Sequence, residues 1–165
     1  MNKNPMPSNE TSRLEALKSL NILDTEAEEE FDALTAMVSQ MIDIPMAFIT
    51  FIDEKRQWIK SKSVPMDISE TPREISFCQH AIMQDAVYEV NNAIENELFK
   101  DNPMVVNDPN VRFYAGMPLK TSDGFNLGTI CVIDNKPRQL TQEHRQVLQE
   151  YAREVVQLVE SRRRN

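Results

Sequence analysis

The chain has 165 residues, a length that suits one domain with a single buried core rather than two domains of ordinary size. Its formal net charge of −8 argues against a nucleic-acid partner, because an acidic surface repels phosphates and lacks the cations whose counterion release drives that binding. No apolar run is long enough to span a bilayer, and the first ten residues lack the apolar segment of a signal peptide. We therefore expect a cytoplasmic protein with neither a membrane nor a nucleic acid as partner.

The N-terminal part of the chain predicts two helices after a short lead-in. Residues 1–11 carry two prolines and mostly polar side chains, which favours a flexible lead-in to a single domain at 12–165. Two capping-box patterns follow, one opened by Ser12 and one by Thr25, each with a glutamate three positions later. The second predicted helix has a wide apolar stripe, so it should pack on a sheet or on another helix, and Pro45 should end it.

The next segment predicts a hairpin, a loop and a short helix. The run MAFITFID at 46–53 is apolar at nearly every position, which is typical of a strand covered on both faces. Turn residues separate it from a second strand at 56–63, whose charged outward residues place it near an edge with Trp58 as the large inward side chain. Two prolines predict a loop at 64–74, and helical spacing returns in a short helix at 76–84.

Three more strands and a long helix complete the predicted elements. A short strand at 86–92 precedes a long polar connection at 93–110, and long connections of this kind are often functional, as a lid or a pocket rim. Two strands at 111–121 and 126–135 are joined by an Asp-Gly turn, a strong hairpin signal. An amphipathic helix from about 142 to 163 ends the chain.

This order of elements predicts an α+β fold. Helices, two strands, a short helix, one strand, two strands and a helix fit a central antiparallel sheet of about five to six strands. The N- and C-terminal helices are expected on one face of the sheet. The short helix and the loops are expected to cover a small-molecule pocket on the other face.

Three separated stretches carry a family resemblance. They are SETPREISFCQHAI at 69–82, FKDNPMVVNDPNVRFYAGMPL at 99–119 and LGTICVIDNKPRQLT at 127–141. In order and spacing they resemble the GAF domains found at the N-termini of bacterial signalling proteins, over about residues 12 to 160. The resemblance implies a ligand-binding sensory domain, and terminal helices that pair in a homodimer and control an attached kinase, cyclase or phosphodiesterase. GAF domains bind cyclic nucleotides, bilins, haem, small metabolites or nothing detectable, so the resemblance does not choose the ligand.

Eight side chains are candidates to contact that ligand. They lie on the strands and the short helix that should border the pocket: Thr50, Trp58, Phe77, Cys78, Ala81, Tyr114, Thr129 and Cys131. Metal binding is not expected, because Cys78 and His80 are two positions apart, which is about 200° of rotation on a helix. A bilin is not expected either, since the histidine of bilin-binding GAF domains usually follows the anchoring cysteine directly and Gln79 intervenes here. We expect no cofactor and no catalytic residue.

Two alternatives to a ligand-binding sensor stay open from the sequence. The first is an oxidoreductase resembling free methionine-R-sulfoxide reductase, a GAF-fold enzyme, with Cys78 and Cys131 as attacking and resolving thiols. Against it, both cysteines lie in apolar runs where a core role is the simpler interpretation. The second alternative is a dimerisation module with a filled pocket and no ligand.

Overall fold

A computed structural model of the chain describes residues 3–162. The helices in this range are α1 (Glu10–Ser19), α2 (Glu29–Ile42), α3 (Cys78–Ala81), α4 (Pro103–Val106) and α5 (Gln142–Ser161). The strands are β1 (Met46–Ile52), β2 (Arg56–Lys62), β3 (Glu70–Pro72), β4 (Tyr88–Val90), β5 (Phe113–Lys120) and β6 (Asn126–Asp134). Short 3-10 turns lie at Arg73–Ile75 and Ala93–Glu95. Across residues 3–162, every helix is too short or too polar to cross a bilayer.

The strands form one antiparallel sheet in the order β3-β2-β1-β6-β5-β4. Both predicted hairpins are present, β1 with β2 and β5 with β6. The two central strands, β1 and β6, come from opposite halves of the sequence and pair over Met46 to Phe51. The predicted α+β fold is therefore confirmed.

Each face of the sheet carries its own apolar core. On one face, side chains of α1, α2 and α5 such as Leu17, Val38 and Val155 pack against Ile49 and Phe51 of β1. On the other face, α3 and the connection before β5 cover a second cluster, whose members include Phe48, Phe77, Phe99, Tyr114 and Cys131. This division follows from the period of two in a strand, which points neighbouring residues of β1 to opposite faces. The terminal helices share one face, as predicted.

The starts of the first two helices differ from the predicted capping boxes. Helix α1 begins at Glu10 rather than after Ser12, and the Glu10 carboxylate accepts hydrogen bonds from the buried Arg13 and Arg73 at 2.7 and 2.6 Å. Burial alone would raise the pKa of Glu10, but the hydrogen bonds from the two arginines outweigh it, so the pKa is lowered. Helix α2 begins at Glu29. Thr25 does not cap it, because its hydroxyl donates to the carbonyl of Ile22 at 2.6 Å.

Two other boundaries differ from the predictions. Part of the segment predicted as a loop at 64–74 forms the edge strand β3, paired with β2. Pro72 is tolerated there because an edge strand can spare one backbone donor. The start of the long C-terminal helix at Gln142 is confirmed, and its predicted end at residue 163 lies outside the described residues.

Candidate functional site

A cavity of about 360 Å³ lies on the face of the sheet away from α1, α2 and α5. Its floor consists of alternate residues of four strands: Met46, Phe48 and Thr50 of β1, Gln57 and Ile59 of β2, Tyr114 of β5, and Cys131 and Ile133 of β6. Its walls come from the chain around β3 and α3 and from the connection after β4: Met66, Ile68, Thr71, Ile75, Phe77, Cys78, Pro103, Met104, Asn107, Asp108 and Pro109. Most of this lining is apolar. The cavity has the size and character of a small-molecule site.

Glycine at position 116 makes room for Tyr114, one of the residues that line the cavity. The side chain of Tyr114 lies along β5 above Gly116, and a Cβ atom at Gly116 would be 2.2 Å from the Tyr114 hydroxyl oxygen. Only glycine leaves room for the phenol in this position. The hydroxyl thereby donates a hydrogen bond to Cys78 Sγ at 3.1 Å.

The sulfur of Cys78 is the centre of a buried hydrogen-bond network. Besides the Tyr114 hydroxyl, Thr50 donates to Sγ at 3.5 Å, and Thr129 Oγ1 lies 3.1 Å from Sγ. The hydroxyls of Thr50 and Thr129 are themselves 3.1 Å apart. A neutral thiol satisfies every group if it donates to Thr129 while Thr129 donates to Thr50. Rotation of the Thr129 hydroxyl toward sulfur would instead complete the solvation of a thiolate.

The two buried thiols differ in acidity. Burial raises the pKa of Cys78, but hydrogen bonds from Cys131, Thr129, Tyr114 and Thr50 outweigh it and lower the pKa to about 7. The pKa of Cys131 is raised well above its ordinary value by the hydrogen bond to Cys78 and by burial. Both are free cysteines. Cys78 is therefore the thiol that ionises first.

The amide of Gln57 holds the one buried polar side-chain atom of the described lining that lacks a hydrogen-bond partner. Gln57 is 7% exposed, and its Nε2 donates to Thr71 Oγ1 at 3.2 Å. Its Oε1 is buried and has no hydrogen-bond partner. Asp108 at the exposed rim is the one charged side chain among the described lining residues, which include no lysine, arginine or histidine.

The structure brings together five of the eight candidate residues at the cavity wall: Thr50, Phe77, Cys78, Tyr114 and Cys131. Thr129 lies directly behind them, in contact with Cys78. Ala81 is buried in the same core but does not line the cavity.

Trp58 lies on the opposite face of the sheet from the cavity. It belongs to the core under the terminal helices, with its ring centroid 6.4 Å from that of Phe51. Its neighbours Gln57 and Ile59 occupy the cavity face instead, because adjacent strand residues point to opposite faces. Since both faces of this sheet are apolar, side-chain size alone gave the wrong face.

The expected separation of Cys78 and His80 is present. The His80 ring packs away from the cavity, 5.0 Å from the ring of Phe99, and burial lowers the pKa of His80. Among residues 3–162, no group of three or more His, Cys, Asp or Glu side chains is placed to hold a metal ion.

Sequence reasoning missed several residues of the site, above all Gln57. The alternation of β2 contained the signal, because it assigns Gln57 and Ile59 to the face that Trp58 does not occupy. The predicted pocket rim at 93–110 does contribute to the lining, through Pro103 to Pro109.

Comparisons with known proteins agree with the fold. The family model described as GAF domain matches residues 26–159. A cyclic di-GMP phosphodiesterase of Pseudomonas aeruginosa is 40% identical over 153 residues, which is 92% of this chain and 26% of that protein. This chain thus spans about a quarter of the length of that relative.

Two solved structures share the fold at low sequence identity. The GAF domain of an Acinetobacter phosphoenolpyruvate-protein phosphotransferase has a TM-score of 0.65 at 12% identity, over 91% of this chain and 94% of that one. Free methionine-R-sulfoxide reductase of Neisseria meningitidis, solved with its substrate, has a TM-score of 0.66 at 14% identity, over 92% and 90%. At such identities the likeness concerns the fold alone.

Proposed function

Because the chain belongs to the GAF domain family, we propose that it is a sensory domain that binds a small molecule in the cavity and relays occupancy through its terminal helices. The observation that carries this proposal is that strand β2 directs residues to the cavity on one face of the sheet and to the helices on the other. Gln57 and Ile59 line the cavity from one face of the strand. Lys60, on the other face, connects the strand to α2 and to the end of α5.

The connection is an ion-pair network centred on a buried lysine. The Lys60 side chain is 0% exposed, and its Nζ donates to Thr25 Oγ1 at 2.8 Å, to the carbonyl of Glu26 at 2.6 Å and to Glu28 Oε2 at 2.5 Å. Glu28 Oε2 also accepts from Arg162 Nη1 at 3.0 Å. A ligand that displaces β2 would move Lys60 and, through Glu28, the C-terminal end of α5. Such a relay requires that the ligand bind the two conformations with unequal affinity.

Catalysis belongs, in this proposal, to an output domain or partner rather than to the cavity. The name of the Pseudomonas aeruginosa relative favours a phosphodiesterase as the output, with a kinase or a cyclase as alternatives. The cavity itself is that of a binding site, since its lining is mostly apolar and the hydroxyls of Thr50 and Tyr114 are engaged with Cys78.

We propose further that the domain is a homodimer through its terminal helices. Met37 and Met41 on α2 are 43% and 48% exposed, and Tyr151 of α5 lies beside them with its hydroxyl 3.5 Å from Met41 Sδ. Burying this apolar strip against a second copy would remove it from water. Light scattering at tens of micromolar should give twice the chain mass, and a mass of 19.1 kDa would overturn the dimer.

A second candidate function is thiol-dependent sulfoxide reduction. The hydrogen bonds that lower the pKa of Cys78, and the presence of Cys131 beside it in the lining, favour this candidate. Turnover of methionine sulfoxide with a thiol reductant, lost in the double variant Cys78→Ser, Cys131→Ser, would support the enzyme. Absence of turnover in the unaltered chain, with ligand binding retained in the double variant, would reject it.

The ligand-binding proposal is tested by a thermal-shift screen over neutral, cationic and anionic metabolites. We expect some compounds to raise the melting temperature of the chain, and the effect to be lost in Ile59→Phe, which fills the cavity. The control is Ile94→Phe, which makes the same exchange at an exposed position outside the cavity lining and outside the proposed dimer strip. If no class of compound shifts the chain at millimolar concentration, the domain is a dimerisation module without a ligand.

A further inference from the structure

Residues 3–9, which precede helix α1, lie against α3 and the 3-10 turn before it, and we call them the N-terminal strap. Gln79 is 2% exposed, and its Nε2 donates to the backbone carbonyl of Lys3 at 3.2 Å. The buried Arg73 donates from Nη2 to Met6 Sδ at 3.4 Å. Two buried side chains of the cavity wall therefore hold the strap.

The same stretch of chain lines the cavity from its inner side. Ile75, Phe77 and Cys78 are lining residues, and they alternate in sequence with Arg73 and Gln79, which hold the strap. The 3-10 turn has three residues and α3 has four, so neither element has an inner layer that could absorb a displacement. Because packed elements transmit strain, a shift of the lining side moves the strap side as well.

The wall between the cavity and the strap is thin. A groove of about 250 Å³ lies beside the strap, and its lining includes Lys3 and Gln79. Ile75 and Pro103 line both this groove and the cavity. Asn102 Nδ2 donates to the carbonyl of Ile75 at 3.1 Å and so fixes the two halves of the wall to each other. One layer of residues thus separates an occupant of the cavity from the groove beside the strap.

The geometry gives the coupling a sign. The cavity has its volume of about 360 Å³ while the strap is docked, so an occupant needs no outward movement of Ile75 or Phe77. An occupant would pack against both side chains and hold the wall in the position that the strap contacts. Met6 is 55% exposed and the strap has few contacts, so the strap can detach without unfolding of the domain.

We propose that the N-terminal strap is a conformational element coupled to the cavity: a filled cavity favours the docked strap, and release of the strap loosens the cavity wall. Such coupling is reciprocal by thermodynamic necessity. The inference rests on the proposed ligand-binding function and adds to it a second route out of the cavity, on the N-terminal side of α1.

Selective ¹³C labelling of the methionine methyl groups reports on the strap and the cavity in one NMR spectrum. Met6 is the reporter in the strap, whereas Met46, Met66 and Met104 line the cavity. Met37, exposed on α2, is the reference for the opposite face of the sheet.

The substitution Gln79→Leu removes the donor that holds the strap and keeps an apolar side chain of similar size. We expect the Met6 methyl signal to move to the position of an unstructured methionine and the cavity methyl signals to shift with it. The control is Gln84→Leu, an exposed amide that donates only to the carbonyls of Ala86 and Val87, and it should leave both sets of signals in place. Gln79→Ala and Gln84→Ala are a second matched pair if leucine does not fit.

The reverse direction is tested from the cavity, with no ligand, by the variant Ile59→Phe. Trypsin cleavage after Lys3 requires release of the strap, so its rate follows the released population. We expect the ring that fills the cavity to slow this cleavage by about fivefold, the lower end of typical coupling between two sites. The control is Ile94→Phe, the same exchange at an exposed position outside the cavity lining, and it should cleave at the rate of the unaltered chain.

The outcomes separate this inference from the function beneath it. Release of Met6 in Gln79→Leu with unmoved cavity methyl signals would show a passive tether and overturn the coupling. Cleavage of Ile59→Phe at an unchanged or higher rate would overturn it as well. Neither result affects ligand binding, whereas a metabolite screen without a hit would overturn ligand binding and leave the measured link between wall and strap in place.

Discussion

Replacing Lys60 with methionine removes the central cation of the network that joins strand β2 to the ends of the helices. Methionine keeps the length of the apolar stem, so the main loss is the ammonium and its three hydrogen bonds, to Thr25, Glu26 and Glu28. The substitution therefore tests whether this buried contact stabilises the fold as its geometry implies.

The expected cost follows from what each partner retains. Removing one member of a buried ion pair costs about 3 to 5 kcal/mol when the other charge is left buried and alone. Here Glu28 is 35% exposed and still accepts from Arg162, so its charge is not stranded. The remaining loss is that of the hydroxyl and carbonyl partners, and we expect Lys60→Met to lower the free energy of unfolding by about 2 kcal/mol.

Urea unfolding followed by Trp58 fluorescence measures this loss, because Trp58 is the single tryptophan of the chain and is buried in the helix-side core. The matched control is Lys120→Met, which breaks an exposed ion pair with Asp85 and should change stability by no more than about 0.5 kcal/mol. Equal losses in the two variants would refute the assignment of a structural role to Lys60.

The difference in stability between the unaltered chain and Lys60→Met is expected to depend on pH. The hydrogen bond from Lys60, opposed by partial burial, lowers the pKa of Glu28 below its ordinary value of 4.5. A carboxyl whose pKa is lower in the folded state contributes stability above its unfolded pKa and loses that contribution as the pH falls through the folded value. The stability difference between the unaltered chain and Lys60→Met should therefore narrow below about pH 4.5. A difference that stays constant into strong acid would contradict this.

Three further predictions concern the two faces of the sheet and its central strands. Trp58→Ala should lower the free energy of unfolding by about 3 to 5 kcal/mol, measured by circular dichroism. At a temperature where the variant stays folded, it should bind cavity ligands as before. Lost binding with full stability would contradict the placement of Trp58 in the helix-side core. Gly128→Ala should cost at least about 1 to 3 kcal/mol in urea unfolding, because its Cβ would lie 1.9 Å from the Thr50 carbonyl oxygen, and a neutral result would contradict the close approach of β1 and β6. Thiolate absorbance should show a titration near pH 7 that Cys78→Ser removes, and absorbance that begins only above pH 9 would contradict the network. The lowered pKa of Cys78 should make the free energy of unfolding rise by up to about 1.4 kcal/mol per pH unit from about pH 7 to 9. Above pH 9 the free energy of unfolding should fall again, because the pKa of Cys131 is raised in the folded state.

The fold was largely predictable from the sequence because its signals are local and repeated. Apolar runs and turn residues defined both long hairpins, and the amphipathic stripe defined the last helix. The helix starts were less predictable, because Thr25 and Glu28, which match a capping box in sequence, are engaged by Lys60 from a strand more than thirty residues away. A local pattern does not reveal such long-range partners.

The site was predictable where the family resemblance fixed the position of a segment, as for Phe77, Cys78 and Tyr114. It was not predictable in β2, where two apolar faces made Trp58 an equally good candidate for either side. The unpaired Gln57 oxygen could not be recognised from sequence, because an amide is incomplete only with respect to its three-dimensional neighbours. For the same reason, the link from Lys60 to the end of α5 needed the structure.

In the proposed relay, strand β2 lines the cavity and couples it to the end of the last helix. An NMR titration of the isotope-labelled chain, with the compound that raises its melting temperature most in the thermal-shift screen, measures both ends at once, through the side-chain amide of Gln57 and the backbone amides around Arg162. We predict shifts at Gln57 and, in proportion to occupancy, at the end of α5, and we predict that Lys60→Met retains the first and loses the second. Shifts at Gln57 with an unresponsive α5 in the unaltered chain would contradict the relay, and shifts confined to residues outside the cavity would contradict the site itself.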